Sequence, residues 1–159
     1  MKRHILLGFL LVTHALNAGE AGVLVPYPEG FRAWRFLGSV VSHPKDRTDA
    51  PDGMIHHIYG NEEALAGLRT GVYPEGAVLV ADWFLLKGKY AGSLNEGTRD
   101  RTDVMRKDAR FATTGGWGYD QFAGESRTIR RVNGAEQNQC FKCHAGVENR
   151  GYVFTILRP

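Results

Sequence analysis

Five residues near the end of the chain, Cys140-Phe141-Lys142-Cys143-His144, constrain it more than any other stretch. Two thiols two residues apart, with a histidine directly after the second, form the attachment signature of c-type haem. On a helix over 135–145, Cys140 and Cys143 share a face and His144 follows one turn after Cys140. Both sulfurs can then reach the haem vinyl groups while the imidazole reaches the iron from one side. Three other readings exist. A thioredoxin-like redox pair needs a strand-helix-strand setting, whereas an Arg- and Gly-rich segment precedes this motif. Structural zinc wants four ligands, and the chain has 2 cysteines. A disulfide across so short a loop would be strained. Covalent haem c fits best.

The start of the chain supports that reading. Met1-Lys2-Arg3-His4 is a basic leader to the apolar run 5–12, and small residues follow to Ala21. This is the layout of a secretory signal, here 1–18, with cleavage after Ala18 or Ala21. The apolar run is too short to span a bilayer. Export to the periplasm would place the chain where c-type haem is attached in bacteria. Removal of Lys2 and Arg3 leaves 18 basic against 17 acidic residues, spread along the chain. Such a surface has no basic stripe, which argues against a nucleic-acid partner. The mature part, 23–159, has the size of one domain.

Turn signals divide that domain into an extended lead-in over 23–30, a helical turn at 31–34 and a strand over 35–42. A Pro-containing loop over 43–53 leads to a second strand over 54–59. Asn61 or Gly60 can cap a helix over 62–69, with Glu62 and Glu63 in its first turn, and Gly71 ends it. Residues 77–86, Ala-Val-Leu-Val-Ala-Asp-Trp-Phe-Leu-Leu, read as a central strand. Beyond it we expect a charged loop over 87–101, a short helix over 103–110, a strand starting at 115–118 and running to Phe122, and an edge segment over 127–132. After the haem helix comes a last strand over 152–157. The expected class is α+β: mainly an antiparallel β-sheet with a few short helices and a C-terminal haem-attachment helix.

Several stretches together carry a family likeness. Pro28-Glu29-Gly30-Phe31-Arg32-Ala33-Trp34-Arg35, a strand ending Ile58-Tyr59, the segment Tyr73-Pro74-Glu75-Gly76-Ala77-Val78-Leu79-Val80, and Cys-x-x-Cys-His followed by Val153-Phe154-Thr155 occur in this order. The chain from about Pro26 to Leu157 resembles the cytochrome P-460 family, which includes the cytochrome c-prime-beta proteins. The resemblance implies a β-sheet domain, a homodimer and a five-coordinate haem on the sheet surface. In that family the strand after the Pro-x-Gly turn reads Val-Lys-Glu, and the lysine is cross-linked to the porphyrin. Here the matching residues are Val80-Ala81-Asp82, and Ala81 has no amine. Members with the lysine oxidise hydroxylamine, and the c-prime-beta members, without the cross-link, bind gases such as nitric oxide. Lys87 and Lys89 have the side-chain parity of Ala81, but Lys87 lies roughly 20 Å along an extended strand.

These points define an expected site. His144 is the proximal iron ligand, and Cys140 and Cys143 carry the haem. His56 and His57 are adjacent on one strand and point to opposite faces, so at most one faces the haem. The family pattern places a polar distal residue at His56, as a hydrogen-bond donor or proton shuttle. Leu79, Ala81 and Trp83 share a face and would form an apolar wall that excludes water and selects small uncharged diatomics. Glu136 could relay protons, and Arg127, Arg130 and Arg131 could pair with the haem propionates. The leading function is binding of a small gaseous or nitrogenous ligand, nitric oxide foremost. Haem-based oxidation of hydroxylamine or nitric oxide is the alternative, and electron transfer with a partner cytochrome is a second.

Overall fold

The structure, a computed structural model, describes residues 23–157 apart from positions 44, 46, 91 and 133, so the leader at 1–18 lies outside the described residues. Five strands form one antiparallel sheet in sequential order: β1 (Arg35–Ser42), β2 (Met54–Gly60), β3 (Val78–Tyr90), β4 (Ser93–Lys107) and β5 (Trp117–Ala123). Helix α1 (Glu62–Thr70) connects β2 to β3, and α2 (Gly134–His144) follows β5. Short 3-10 turns lie at Phe31–Ala33, Ala109–Thr114 and Ala145–Arg150. The chain is α+β, with a mainly antiparallel sheet and a few short helices, as its strand and turn signals indicate.

Side-chain alternation along β3 divides the interior in two. Val78 and Val80 point to one face, where Val104, Phe122, Val25 and Phe31 complete a buried cluster under the N-terminal segment. Leu79 points to the other, with Met105, Tyr119, Trp117, Tyr73, Ala64 and Val153. Cys140 and Phe141 of α2 pack against this second cluster. Each fully buried large apolar side chain contributes about 1.5–3 kcal/mol, so both faces of β3 are strongly specified.

Asn61 sets the start of α1. Its Oδ1 accepts from the backbone N–H of Ala64 (3.0 Å) and of Val78 (2.9 Å), and its Nδ2 donates to Gly76 O (2.9 Å). One side chain thus caps the helix and ties it to the first residue of β3. At the other end Gly71 adopts φ 79° and donates its N–H to Gly67 O, the left-handed ending that glycine permits.

The segment 87–110 corrects the sequence expectation. Instead of a loop and a helix, β3 runs on to Tyr90 and β4 extends through Lys107, pairing with β3 on one side and β5 on the other. The residues 101–107 alternate Arg, Thr, Asp, Val, Met, Arg, Lys, with Thr102 and Val104 buried on one face and Asp103 and Met105 on the other. Two-sided pairing overrides their helical propensity. In place of the expected last strand over 152–157, Tyr152 belongs to a turn and 153–157 make no sheet pairing, and 127–132 contributes one bridge, Arg130 to Phe122.

Three arginines, Arg47, Arg101 and Arg131, converge on the buried carboxylate of Asp100 at 2.7–3.2 Å. Burial opposes ionisation, but the three cations outweigh it and hold the carboxyl down at about 2. A carboxyl depressed on folding stabilises the native state above its unfolded value and loses that contribution as pH falls. Stability should therefore decline from about pH 4 towards pH 2, and Asp100→Asn should be less stable at neutral pH with a weaker decline over that range, measured by denaturant unfolding. A second substitution tests packing against propensity. A Cβ at Gly67 would collide with the Tyr73 ring. Gly67→Ala should destabilise by about 1–3 kcal/mol through overpacking, although alanine favours an exposed helix by about 1 kcal/mol; the thermal midpoint reads the sign.

Candidate functional site

The second face of the sheet carries a cavity of about 270 Å³ floored by Ile58, Leu79, Ala81, Trp83, Asp103 and Met105. Cys140, His144, Val153 and Phe154 close it from the C-terminal elements. A groove of about 400 Å³ adjoins it, sharing His56, Ile58, Phe154 and Thr155 and continuing to Leu37 and Val40 on β1. Together they fall in the size range of cofactor sites. Cys140, His144, His56, Ala81 and Trp83, singled out from sequence, all line the one cavity. Cys143 is exposed, and both cysteines are free thiols. Burial pushes the Cys140 thiol up.

His144 ends α2, and its orientation is set by the turn that follows. Gly151 and Tyr152 both take positive φ (64° and 68°), and Tyr152 is the one non-glycine residue with that backbone among the described residues. Such a conformation costs about 1–3 kcal/mol and needs support from its surroundings. Trp117 supplies it by donating Nε1–H to Gly151 O at 3.0 Å. The Tyr152 carbonyl is thereby brought to 2.7 Å from Nδ1 of His144. Since a carbonyl only accepts, Nδ1 carries the proton and Nε2 keeps its lone pair, the arrangement of a metal-ligating histidine. Tyr119 and Phe154 flank the ring with centroids 5.0 Å away. Burial lowers the basicity of His144, and the bond to Tyr152 opposes this in part.

At the opposite end, three cross-strand neighbours form a stack. His56 of β2 lies on Trp83 of β3 with centroids 3.9 Å apart, and the Arg101 guanidinium of β4 sits 4.1 Å from the Trp83 ring. Burial, then the charge of Arg101, pulls His56 down to about 4. It stays neutral at physiological pH. His57 points to the other face, between Ser39 Oγ (2.7 Å) and Glu96 (2.6 Å).

Asp103, which pairs with Ala81 across β3 and β4, was not found from sequence. Burial raises its carboxyl to about 6 despite an ion pair with Arg101 at 3.0 Å. The wall is therefore not apolar throughout: Leu79, Ala81 and Ile58 are accompanied by an acid and an imidazole. Reading 101–107 as a strand would have placed Asp103 on this face by parity alone. Buried polar atoms without a partner also collect here, namely His56 Nδ1, Trp83 Nε1 and Tyr119 OH. Trp83 Nε1 makes no well-formed hydrogen bond, although it lies close enough to Asp103 to favour the carboxylate.

The arginines expected at propionates are engaged elsewhere. Arg127 pairs with Glu29 at 2.8 Å, Arg130 with Asp120 and the Val25 carbonyl, and Arg131 with Asp100. Glu136 belongs to α2, but its side chain lies outside the described residues. Of the two methionines after the leader, Met105 lines the cavity within the Leu79 and Trp117 cluster, whereas Met54 pairs with Leu85 in the sheet.

The residues present fit a haem: an apolar cavity, thiols on a helix, an oriented imidazole with a free lone pair and unpartnered polar atoms within one site. Comparison with protein families gives a match to the Cytochrome P460 family over residues 28–155. No curated protein matches the chain.

Proposed function

The chain belongs to the cytochrome P460 family of haem proteins, and from that premise we propose that it is an exported monohaem cytochrome c that binds small uncharged ligands, nitric oxide foremost. The observation that carries this reading is the convergence of Cys140, His144 and Ala81 on one cavity. Cys140 and Cys143 would hold the haem by thioethers, and His144 Nε2 would hold its iron. The bound haem supplies a redox-active iron with a coordination position open to a small molecule.

The protein's own groups shape that position. Leu79, Ile58 and Phe154 exclude water, which disfavours charged ligands. Ala81 presents a methyl group in place of the family's cross-linking amine, so the porphyrin stays unmodified at that point. His56, neutral and half-buried, offers an imidazole for hydrogen bonding at the distal side. Met105 is packed into the core, and the reading takes the iron as five-coordinate, with His56 left to meet the bound ligand.

Asp103 favours a second reading, oxidation of hydroxylamine or nitric oxide. A carboxyl titrating near 6 inside the cavity can hold or release a proton near working pH. The proposal also includes a homodimer, supported by the exposed Phe36, Val40 and Val41 on the sheet-edge strand β1, and periplasmic residence after loss of 1–18.

Spectroscopy of the purified holoprotein tests the reading. The reduced form should be high-spin and bind nitric oxide and carbon monoxide; a low-spin, six-coordinate ferrous spectrum would defeat it. Haem should stay with the chain in acidified organic solvent and be released from a Cys140→Ser, Cys143→Ser variant. Ala81→Lys should gain either a red-shifted ferrous band or altered ligand binding, and if it gains neither, Ala81 does not stand over the haem. Turnover of hydroxylamine with an artificial electron acceptor would favour the oxidase reading.

A further inference from the structure

The stack at the far end of the cavity has a feature that packing alone does not require. Its outer layer, Arg101, is fixed by two carboxylates, Asp100 at 2.7 Å from one terminal nitrogen and Asp103 at 3.0 Å from Nε. A side chain otherwise free to rotate is thereby held over Trp83, its guanidinium carbon 4.1 Å from the ring centroid. His56 covers the indole from the neighbouring strand at 3.9 Å, and its Nδ1 has no hydrogen-bond partner. The imidazole is placed by stacking instead of by hydrogen bonds, so its orientation depends on the indole and, through it, on the guanidinium.

We propose that Arg101 is a positioning residue for the distal side of the site: pinned by Asp100 and Asp103, it clamps Trp83 against His56 and so fixes the imidazole that meets a bound ligand. The proposal rests on the reading of His56 as a distal group. It assigns to Arg101 a role transmitted through two rings, without contact to the ligand itself.

The charges around His56 support this. Asp103 lines the cavity from β4, with Arg101 two residues before it on that strand and stacked on Trp83; Tyr119 and Asp120 line it from β5, Cys140 and His144 from α2, and His57 is the neighbour of His56 on β2. The groups supplied by β1 and the C-terminal segment, Val40, Phe154, Thr155 and Ile156, are uncharged. Arg101 thus repels a proton on His56 as well as steadying the ring. Removing its charge favours protonation of the imidazole; Asp103, which Arg101 helps to keep ionised, is then protonated over the range where His56 titrates and adds no opposing charge.

Three variants of the holoprotein separate this from plain packing: Arg101→Gln, Arg101→Lys and His56→Gln. NMR of the diamagnetic ferrous carbon monoxide form follows the His56 ring signals with pH, identified by their loss in His56→Gln. Followed from about pH 3.5 to 8, the parent signals should titrate with a midpoint of about 4. In Arg101→Gln the midpoint should rise by about one unit, and the Trp83 indole N–H signal should broaden or split. Arg101→Lys, which keeps the charge, should restore the parent midpoint. The infrared C–O stretching band should shift in both His56→Gln and Arg101→Gln. An unchanged His56 midpoint in Arg101→Gln overturns the clamp, and so does a C–O band identical in parent and Arg101→Gln. If the parent binds no carbon monoxide, the ligand-binding reading falls. The ferrous form without ligand, unsuited to the infrared measurement, then decides the clamp through the titration alone.

Discussion

The strict alternation of side chains along β3 is the constraint on which the rest of the structure depends. Val80 and Asp82 must face one way and Leu79, Ala81 and Trp83 the other, since side chains on a strand have a period of two. A slip of one residue would expose two buried valines and drive Asp82, which is bound by Arg32 and Arg99 at 2.8 Å, into the cavity. Burying an unpaired carboxylate there would cost several kcal/mol. Register is therefore fixed from both faces, and with it the identity of the residue over the site. The neighbours then follow from pairing: Ile58 and Asp103 stand on either side of Ala81, and His56 and Arg101 on either side of Trp83.

The two ends of the cavity are held by different physics. At the C-terminal end, a backbone carbonyl in a strained turn fixes one tautomer of His144, and Trp117 keeps that turn in place from β5. At the other end Nδ1 of His56 has no hydrogen-bond partner among the described residues, and a cation, an indole and an imidazole stack across three strands. Backbone hydrogen bonds are directional and insensitive to pH. Stacking is softer and, because its outer layer is charged, it responds to the titration state of the carboxylates behind it. The fixed end suits a permanent ligand, and the softer end suits a group that meets a transient one.

Much of this was legible in the sequence where local signals and tertiary structure agree. β1 and β2, α1 with its Asn61 cap, the start of β5 and the helix bearing Cys140 and His144 all have strong turn or capping residues at their ends. Parity placed Ala81 and Trp83 on one face and separated His56 from His57. The failures share a cause. Residues 87–110 are charged, so their pattern reads as solvent-exposed loop or helix, but these charges are neutralised in pairs on the sheet: Asp103 and Asp100 with Arg101, and Arg99 with Asp82. Composition cannot distinguish a solvated charge from one paired across a sheet. The arginines at 127, 130 and 131 read as a solvated basic edge or as propionate partners, and neither reading could name their actual partners, Glu29, Asp120 and Asp100, because these lie 10 or more residues away.

The missing β4 also changed the chemistry read from the site. With Ala81 considered alone, the absence of a lysine amine leaves an inert methyl wall and points to passive binding of an apolar gas. With Asp103 paired directly opposite, the same position is a junction between an apolar floor and a carboxyl held near 6 by the opposed effects of burial and Arg101. The site thus combines a dry surface, which disfavours charged ligands, with a proton store a few ångströms away across one strand. Ala81 carries no amine, but two acid-base groups, Asp103 and His56, line the same cavity.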